Sequence, residues 1–127
     1  MSDQSQSSDV ESWTPQEVHN ALQAGEIVLI DVRTPQEYMF EHIEGALLAP
    51  MSFLKATSLP GQSEKRIVFH CGSGMRSGKV AQKCLDAGFD KIAHMEGGFG
   101  AWKQAGLPYM ATDPATGAPK RVDGSAS

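Results

Sequence analysis

The sequence predicts an α/β fold built on a mainly parallel sheet, and three observations carry that prediction. Short continuous apolar runs, of the kind found in strands buried on both faces, alternate with segments that have helical spacing and helix-start signals. The chain has 127 residues, 40% of them hydrophobic, enough for one core and one domain. Its two cysteines, Cys71 and Cys84, rule out a disulfide framework, and the absence of CxxC and HxxxH spacings argues against a structural metal site.

Thr14-Pro15-Gln16-Glu17 opens the first helix, with Thr14 as N-cap, Pro15 at N1 and Glu17 completing a capping box. Val18, Ala21 and Leu22 continue it at helical spacing, and Gly25 stops it. Ile27-Val28-Leu29-Ile30 reads as a buried strand. Thr34-Pro35-Gln36-Glu37 repeats the capping arrangement and starts a second, shorter helix. Gly45-Ala46-Leu47-Leu48-Ala49 is a weaker strand ended by Pro50, and residues 51–58 suit a short helix. Ile67-Val68-Phe69 is the next strand, residues 77–87 form the clearest helix, and Gly88 ends it. Ile92-Ala93-His94-Met95 is another strand, and residues 99–105 form a last helix before Gly106 and Pro108. Residues 1–11 and 111–127, rich in Ser, Asp, Gly, Pro and Ala, are expected to be disordered tails around a domain spanning 12–110.

The net charge of −4 is unevenly spread. Asp3, Asp9 and Glu11 give the N-terminal tail −3, and Asp113, Lys120, Arg121 and Asp123 cancel in the C-terminal one, leaving −1 for the domain. A near-neutral domain gives no signal for nucleic acid or membrane binding. The exception is residues 64–83, where Glu64 stands against Lys65, Arg66, Arg76, Lys79 and Lys83 for a local +4 around Cys71. No apolar run approaches the roughly 20 residues of a membrane span. The polar, acidic start MSDQSQSSDV is unlike a secretory or mitochondrial leader, so a cytoplasmic location with reduced cysteines is expected.

In a parallel sheet, ligands bind at the carboxyl ends of the strands. Three such ends carry distinctive residues: Asp31 to Arg33, Cys71 to Arg76, and Glu96 to Gly98. The second runs Cys71-Gly72-Ser73-Gly74-Met75-Arg76 directly into a helix beginning near Ser77. Two glycines let such a loop curl until successive N–H groups point inward, and the helix N-terminus adds its dipole. A thiol there is held as thiolate, with pKa values of roughly 3.5–7.5 known for such positions. Arg76 adds a permanent positive charge, which is unfavourable at a helix N-terminus and is expected to be compensated by a bound anion. Cys84 falls on the apolar helix face with Val80, Ala81 and Leu85, about 10 Å along the helix at 1.5 Å per residue, and is expected to pack in the core unpaired. Asp31 and Arg33 are expected to form an ion pair or hold the loop. His70 ends its strand or tunes Cys71, Ser77 caps the helix, and Gly97-Gly98 allow close backbone passage near the loop.

These motifs resemble those of rhodanese domains. Leu29 to Tyr38 followed by Glu41-His42-Ile43-Glu44-Gly45-Ala46 is similar to the family's first signature, and Val68 to Ser77 to its active-site loop. Ala87-Gly88-Phe89 and Glu96 to Trp102 are similar to its C-terminal signature. Two positions depart from the pattern: Glu44 stands where proline is usual, and Gly100 where a bulkier residue is common. The resemblance implies a five-stranded, mainly parallel sheet with helices on both faces, and a sulfurtransferase. Cys71 is then the nucleophile that becomes a persulfide, needing no further cofactor and no metal. Gly72, Ser73, Gly74, Met75 and Arg76 form the loop that binds substrate and stabilises the persulfide, supported by Asp31, Arg33 and Ser77. The implied partners are a small anionic sulfur donor and a thiol or cyanide-like acceptor, with a protein acceptor as the alternative. No nucleic acid or membrane is implied, and a monomer or weak dimer is expected. Phosphatases and arsenate reductases of this fold use a loop one residue longer between Cys and Arg, so the shorter loop here favours sulfur. An inert binding module would lack the cysteine. Donor choice among thiosulfate, mercaptopyruvate and persulfides stays open.

Overall fold

The structure, a computed structural model, describes residues 10–62 and 64–123. In chain order the elements are β1 (Glu11–Trp13), α1 (Pro15–Gln23), β2 (Ile27–Asp31), α2 (Pro35–Phe40), β3 (Glu41–His42), β4 (Leu47–Leu48), β5 (Arg66–His70), α3 (Met75–Asp86), β6 (Ala93–Met95), α4 (Gly98–Gln104), β7 (Tyr109–Thr112) and β8 (Pro119–Val122). A single 3₁₀ turn, Ala56–Ser58, lies where a short helix was expected. Both helix starts with Thr-Pro-Gln-Glu carry the full reciprocal capping box.

The main sheet has the order β1-β6-β5-β2-β4, and every pairing in it is parallel. Its two faces bury two apolar layers. On one, Val18 and Ala21 of α1 and Phe99 and Trp102 of α4 pack on Leu29, Val68, Ala93 and Met95. On the other, Val80, Ala81 and Cys84 of α3 pack on Ile30, Ile67, Phe69 and Ile92. Leu29/Ile30 and Val68/Phe69 fall on opposite faces because successive strand residues alternate. The continuous apolar runs of the sequence are therefore strands covered by helices on both sides.

The expected tails need correction at both ends. Glu11, placed in the expected N-terminal tail, belongs to β1, which adds the fifth strand by pairing with β6. Residues 109–122 form a hairpin, not a disordered tail: β7 and β8 pair antiparallel, and β7 continues onto β3 to make a second, three-stranded sheet. The turn has its own chemistry. The Asp113 carboxylate accepts from the N–H of Ala115 at 2.8 Å, and Gly117 takes the left-handed conformation that brings its N–H to the Asp113 carbonyl. Pro119 is tolerated because β8 is an edge strand. Residues 1–9 and 124–127, which belong to the expected tails, lie outside the described residues. Among the described residues, no helix is long and apolar enough to cross a membrane.

Candidate active site

Because all five strands of the main sheet are parallel, the three distinctive strand ends share one edge, with β5 in the centre and β2 and β6 beside it. Cys71 follows β5 directly. The backbone then turns through Gly74, whose φ of +104° is left-handed and suits glycine, and α3 starts at Met75. The helix thus begins two residues before the expected start at Ser77, and its N-cap is Gly74. Ser77 is not the cap.

Gly74 and Ser77 both point their N–H groups at Cys71 Sγ, at 3.0 and 3.3 Å. The Ser77 hydroxyl lies 3.6 Å from the same sulfur. Burial pushes the Cys71 thiol up, but the N–H groups of Ser77, Ser73 and Gly74 and the Ser77 hydroxyl outweigh it, and the net direction is down. Cys84 has burial alone and is pushed up. Both cysteines are free, and neither exposes any surface. The site's sulfur is covered by its own loop, in which Ser73 and Met75 are exposed.

The loop is held in place by the first turn of α4. Phe99 N–H donates to the Cys71 carbonyl at 2.8 Å and Gly100 N–H to the Gly72 carbonyl at 3.1 Å. Gly98, with φ +60°, passes so close that a Cβ built there would stand 2.5 Å from the Cys71 carbonyl oxygen and 2.6 Å from the Gly72 carbonyl carbon. The absence of a side chain is what allows α4 to clamp the loop, as expected for the Gly97-Gly98 pair.

On the other side, Asp31 and Arg33 form a buried ion pair with Nη2–Oδ2 at 2.8 Å, and the Arg33 N–H also donates to Asp31 Oδ1 at 2.9 Å. Arg33 Nη2 reaches the Glu41 carbonyl at 2.7 Å, which ties β2 to β3. His70 completes the cluster: Nε2 lies 3.5 Å from Asp31 Oδ2, and Nδ1 faces the Cys71 carbonyl at 3.2 Å. Burial lowers the His70 pKa against the opposing pull of Asp31, so the imidazole is held neutral. The group braces the Cys71 backbone from beneath.

Arg76 differs from expectation. Its charge is met by a carboxylate of the chain itself: Nη1 and Nη2 donate to Glu37 Oε1 and Oε2 at 2.8 and 3.1 Å. The Arg76 hydrogen bond is the largest influence on Glu37 and lowers its carboxyl to about 2. In the sequence Glu37 reads only as a capping residue, and 39 positions separate it from Arg76. His94 is the second residue whose place was not read. It lies on β6, and its Nδ1 stands 2.9 Å from Ser77 Oγ.

Comparison with known proteins gives the family. Residues 14–105 match the family model of the rhodanese-like domain, and the chain belongs to that family. It is 42% identical over 98 residues to an uncharacterized protein of Synechocystis, covering 77% of this chain and 55% of that one. It is 34% identical over 113 residues to the probable adenylyltransferase/sulfurtransferase MoeZ of Mycobacterium tuberculosis, covering 85% and 28%. It is also 34% identical over 98 residues to the thiosulfate sulfurtransferase GlpE of Coxiella burnetii, covering 77% and 86%. The chain thus spans about half of the first relative's length and under a third of the second's, but most of GlpE. Among solved structures, it is similar to a Rhodopseudomonas palustris protein of unknown function described as a possible tyrosine phosphatase. The TM-score is 0.64 at 30% identity, covering 76% of this chain and 82% of that one.

Proposed function

We propose that this protein moves a sulfane sulfur from a small anionic donor to a thiophilic acceptor through a persulfide on Cys71. The observation that carries the reading is the hydrogen bonding of Cys71 Sγ by two N–H groups at the start of α3. With thiosulfate as donor, the Cys71 thiolate attacks the outer sulfur. The sulfur–sulfur bond of the donor breaks, and sulfite leaves with the electron pair. An acceptor such as cyanide then attacks the outer sulfur of the persulfide, leaves as thiocyanate and returns the thiolate. This is two-step covalent catalysis, and the N–H groups that lower the Cys71 pKa favour the thiolate and lessen the need for a separate base. The N–H groups stabilise the charged sulfur, as an oxyanion hole stabilises oxygen. Cys71 is buried, and the exposed Ser73 and Met75 of its loop are the residues an approaching donor meets first.

Phosphate transfer is disfavoured because four residues separate Cys71 from Arg76, and Arg76 is already engaged by Glu37. A second reading, delivery of the sulfur to another protein, is favoured by the exposed apolar side chains Met39 and Phe40 on α2, the helix that carries Glu37, and Met75 in the loop, at 69, 67 and 70% exposure. The thiosulfate:cyanide reaction tests the first reading. Cys71→Ser abolishes it while leaving the fold intact, and activity retained by that variant contradicts the mechanism. Slow turnover with every small donor, together with rapid loading by a partner protein, would favour the second.

A further inference from the structure

Ser77 lies between groups that compete for its single hydroxyl proton. Its Oγ is 2.9 Å from His94 Nδ1, 3.3 Å from the Gly74 carbonyl oxygen and 3.6 Å from Cys71 Sγ. Ser77 is completely buried, so no solvent relieves the competition. A hydroxyl donates once and accepts twice. When His94 Nδ1 carries no proton, it takes the Ser77 O–H and the sulfur receives nothing from that side. When Nδ1 carries the proton, it donates to Ser77 Oγ, and the O–H is released toward Sγ. A thiolate is only an acceptor and favours the second arrangement.

We propose that His94 is a positioning residue for Cys71. Through Nδ1 it holds the Ser77 hydroxyl in the orientation that donates to the thiolate, so the charge on Sγ and the proton on Nδ1 are coupled. The inference rests on Cys71 being the nucleophile of the proposed transfer. The His94 ring packs against the start of α3: its Cε1 lies 3.6 Å from where a Gly78 Cβ would stand and 3.9 Å from where a Gly74 Cβ would, ordinary contact distances. Among the described residues, two titratable groups bear on His94. Cys71 faces it across Ser77, and Glu96 acts on it from the end of its own strand. Its register neighbours are Ser12 on β1 and Phe69 on β5, and α3 presents Gly74, Ser77 and Gly78. Burial lowers its pKa against the pull of Glu96, which favours the neutral ring; which nitrogen then carries the proton is set by the hydrogen bond to Ser77. Once the sulfur transfers, the negative charge moves from Sγ to the outer sulfur. The Ser77 contact therefore matters most in the sulfur-free enzyme.

The test needs no sulfur donor. In a Cys84→Ser background, where Cys71 is the sole thiol, the rate of alkylation by iodoacetamide is followed against pH. His94→Phe raises the midpoint by about one pH unit, the loss of one hydrogen bond to a charged group. His94→Asn, whose amide N–H can replace Nδ1–H, stays closer to the parent. Ser77→Ala raises the midpoint as His94→Phe does, and the double variant goes no further, because both act through one proton. With His94 intact, ¹⁵N NMR places the proton on Nδ1 in the thiolate form and finds that preference lost in Cys71→Ser. An unchanged midpoint in Ser77→Ala, additive shifts in the double variant, or a ring tautomer indifferent to Cys71 overturns the inference. Coupling without sulfur transfer contradicts the proposed function instead, and transfer without coupling contradicts this inference alone.

Discussion

Replacing Gly98 by alanine tests how the site is held. The new Cβ would stand 2.5 Å from the Cys71 carbonyl oxygen, 2.6 Å from the Gly72 carbonyl carbon and 2.7 Å from the Gly72 oxygen. All three are backbone atoms, so no side chain can swing aside. The left-handed φ of +60° adds strain of about 1–2 kcal/mol for a residue with a Cβ. Forcing the overlap adds about 1–3 kcal/mol. The expected loss of about 2–5 kcal/mol is large against a typical total of about 5–15 kcal/mol. Gly25→Ala isolates the strain term: its φ of +73° is similar, but nothing lies within 4 Å of its Cβ position. Urea denaturation should find Gly98→Ala less stable than Gly25→Ala by the steric term. Iodoacetamide titration, again without Cys84, should find the Cys71 midpoint raised in Gly98→Ala and unmoved in Gly25→Ala. Equal stabilities and unmoved midpoints would refute the clamp, because the displaced loop must draw the Gly74 N–H from the sulfur.

Other outcomes follow from the same contacts. Asp31→Asn leaves Arg33, a residue only 5% exposed, without its counter-ion and should cost about 3–5 kcal/mol in denaturant titration. Cys84→Ser should retain sulfur transfer with unaltered kinetics in the folded protein, since Cys84 is an unpaired core residue; loss of transfer would make it a partner of Cys71. Glu37→Gln keeps the capping geometry but frees Arg76, so it should lower KM for an anionic donor with little change in kcat. The same variant has a pH signature. Glu37 titrates at about 2 in the fold, below its ordinary 4.5, so the pair stabilises the protein above pH 4.5 and is lost as pH falls through about 2. Being half exposed, it is worth less than about 1 kcal/mol, so wild type and variant should differ slightly at pH 6 and converge near pH 2 in urea melts.

Much of the fold is legible because local signals and burial agree. The two Thr-Pro-Gln-Glu starts become capped helices, and the apolar runs become central strands because both sheet faces are covered. The hairpin at 109–122 was hidden for the opposite reason. It is held by backbone pairing to β3 and by the Arg121–Glu44 pair at 2.6 Å, with Tyr109 alone of its residues packed on the main core, so its composition resembles a tail. Its Asp113-Pro114-Ala115-Thr116-Gly117 turn was the available signal.

At the site, the Cys71 loop is legible because strand, glycines and helix are contiguous. The buried Asp31–Arg33 pair is close enough in sequence to be expected. Glu37 and His94 were not identified because their contacts join elements that only the sheet order brings together. Pairing of β5 with β6 puts Phe69 beside His94, and nothing in the local sequence encodes that neighbour.

The central claim is that Cys71 carries the sulfur. Intact-mass analysis after exposure to thiosulfate, mercaptopyruvate and a low-molecular-weight persulfide, with peptide mapping of the adduct, tests it most directly. A single added sulfur on Cys71, removed by cyanide and absent in Cys71→Ser, is expected. No adduct with any donor, or a sulfur retained by Cys71→Ser, would contradict it.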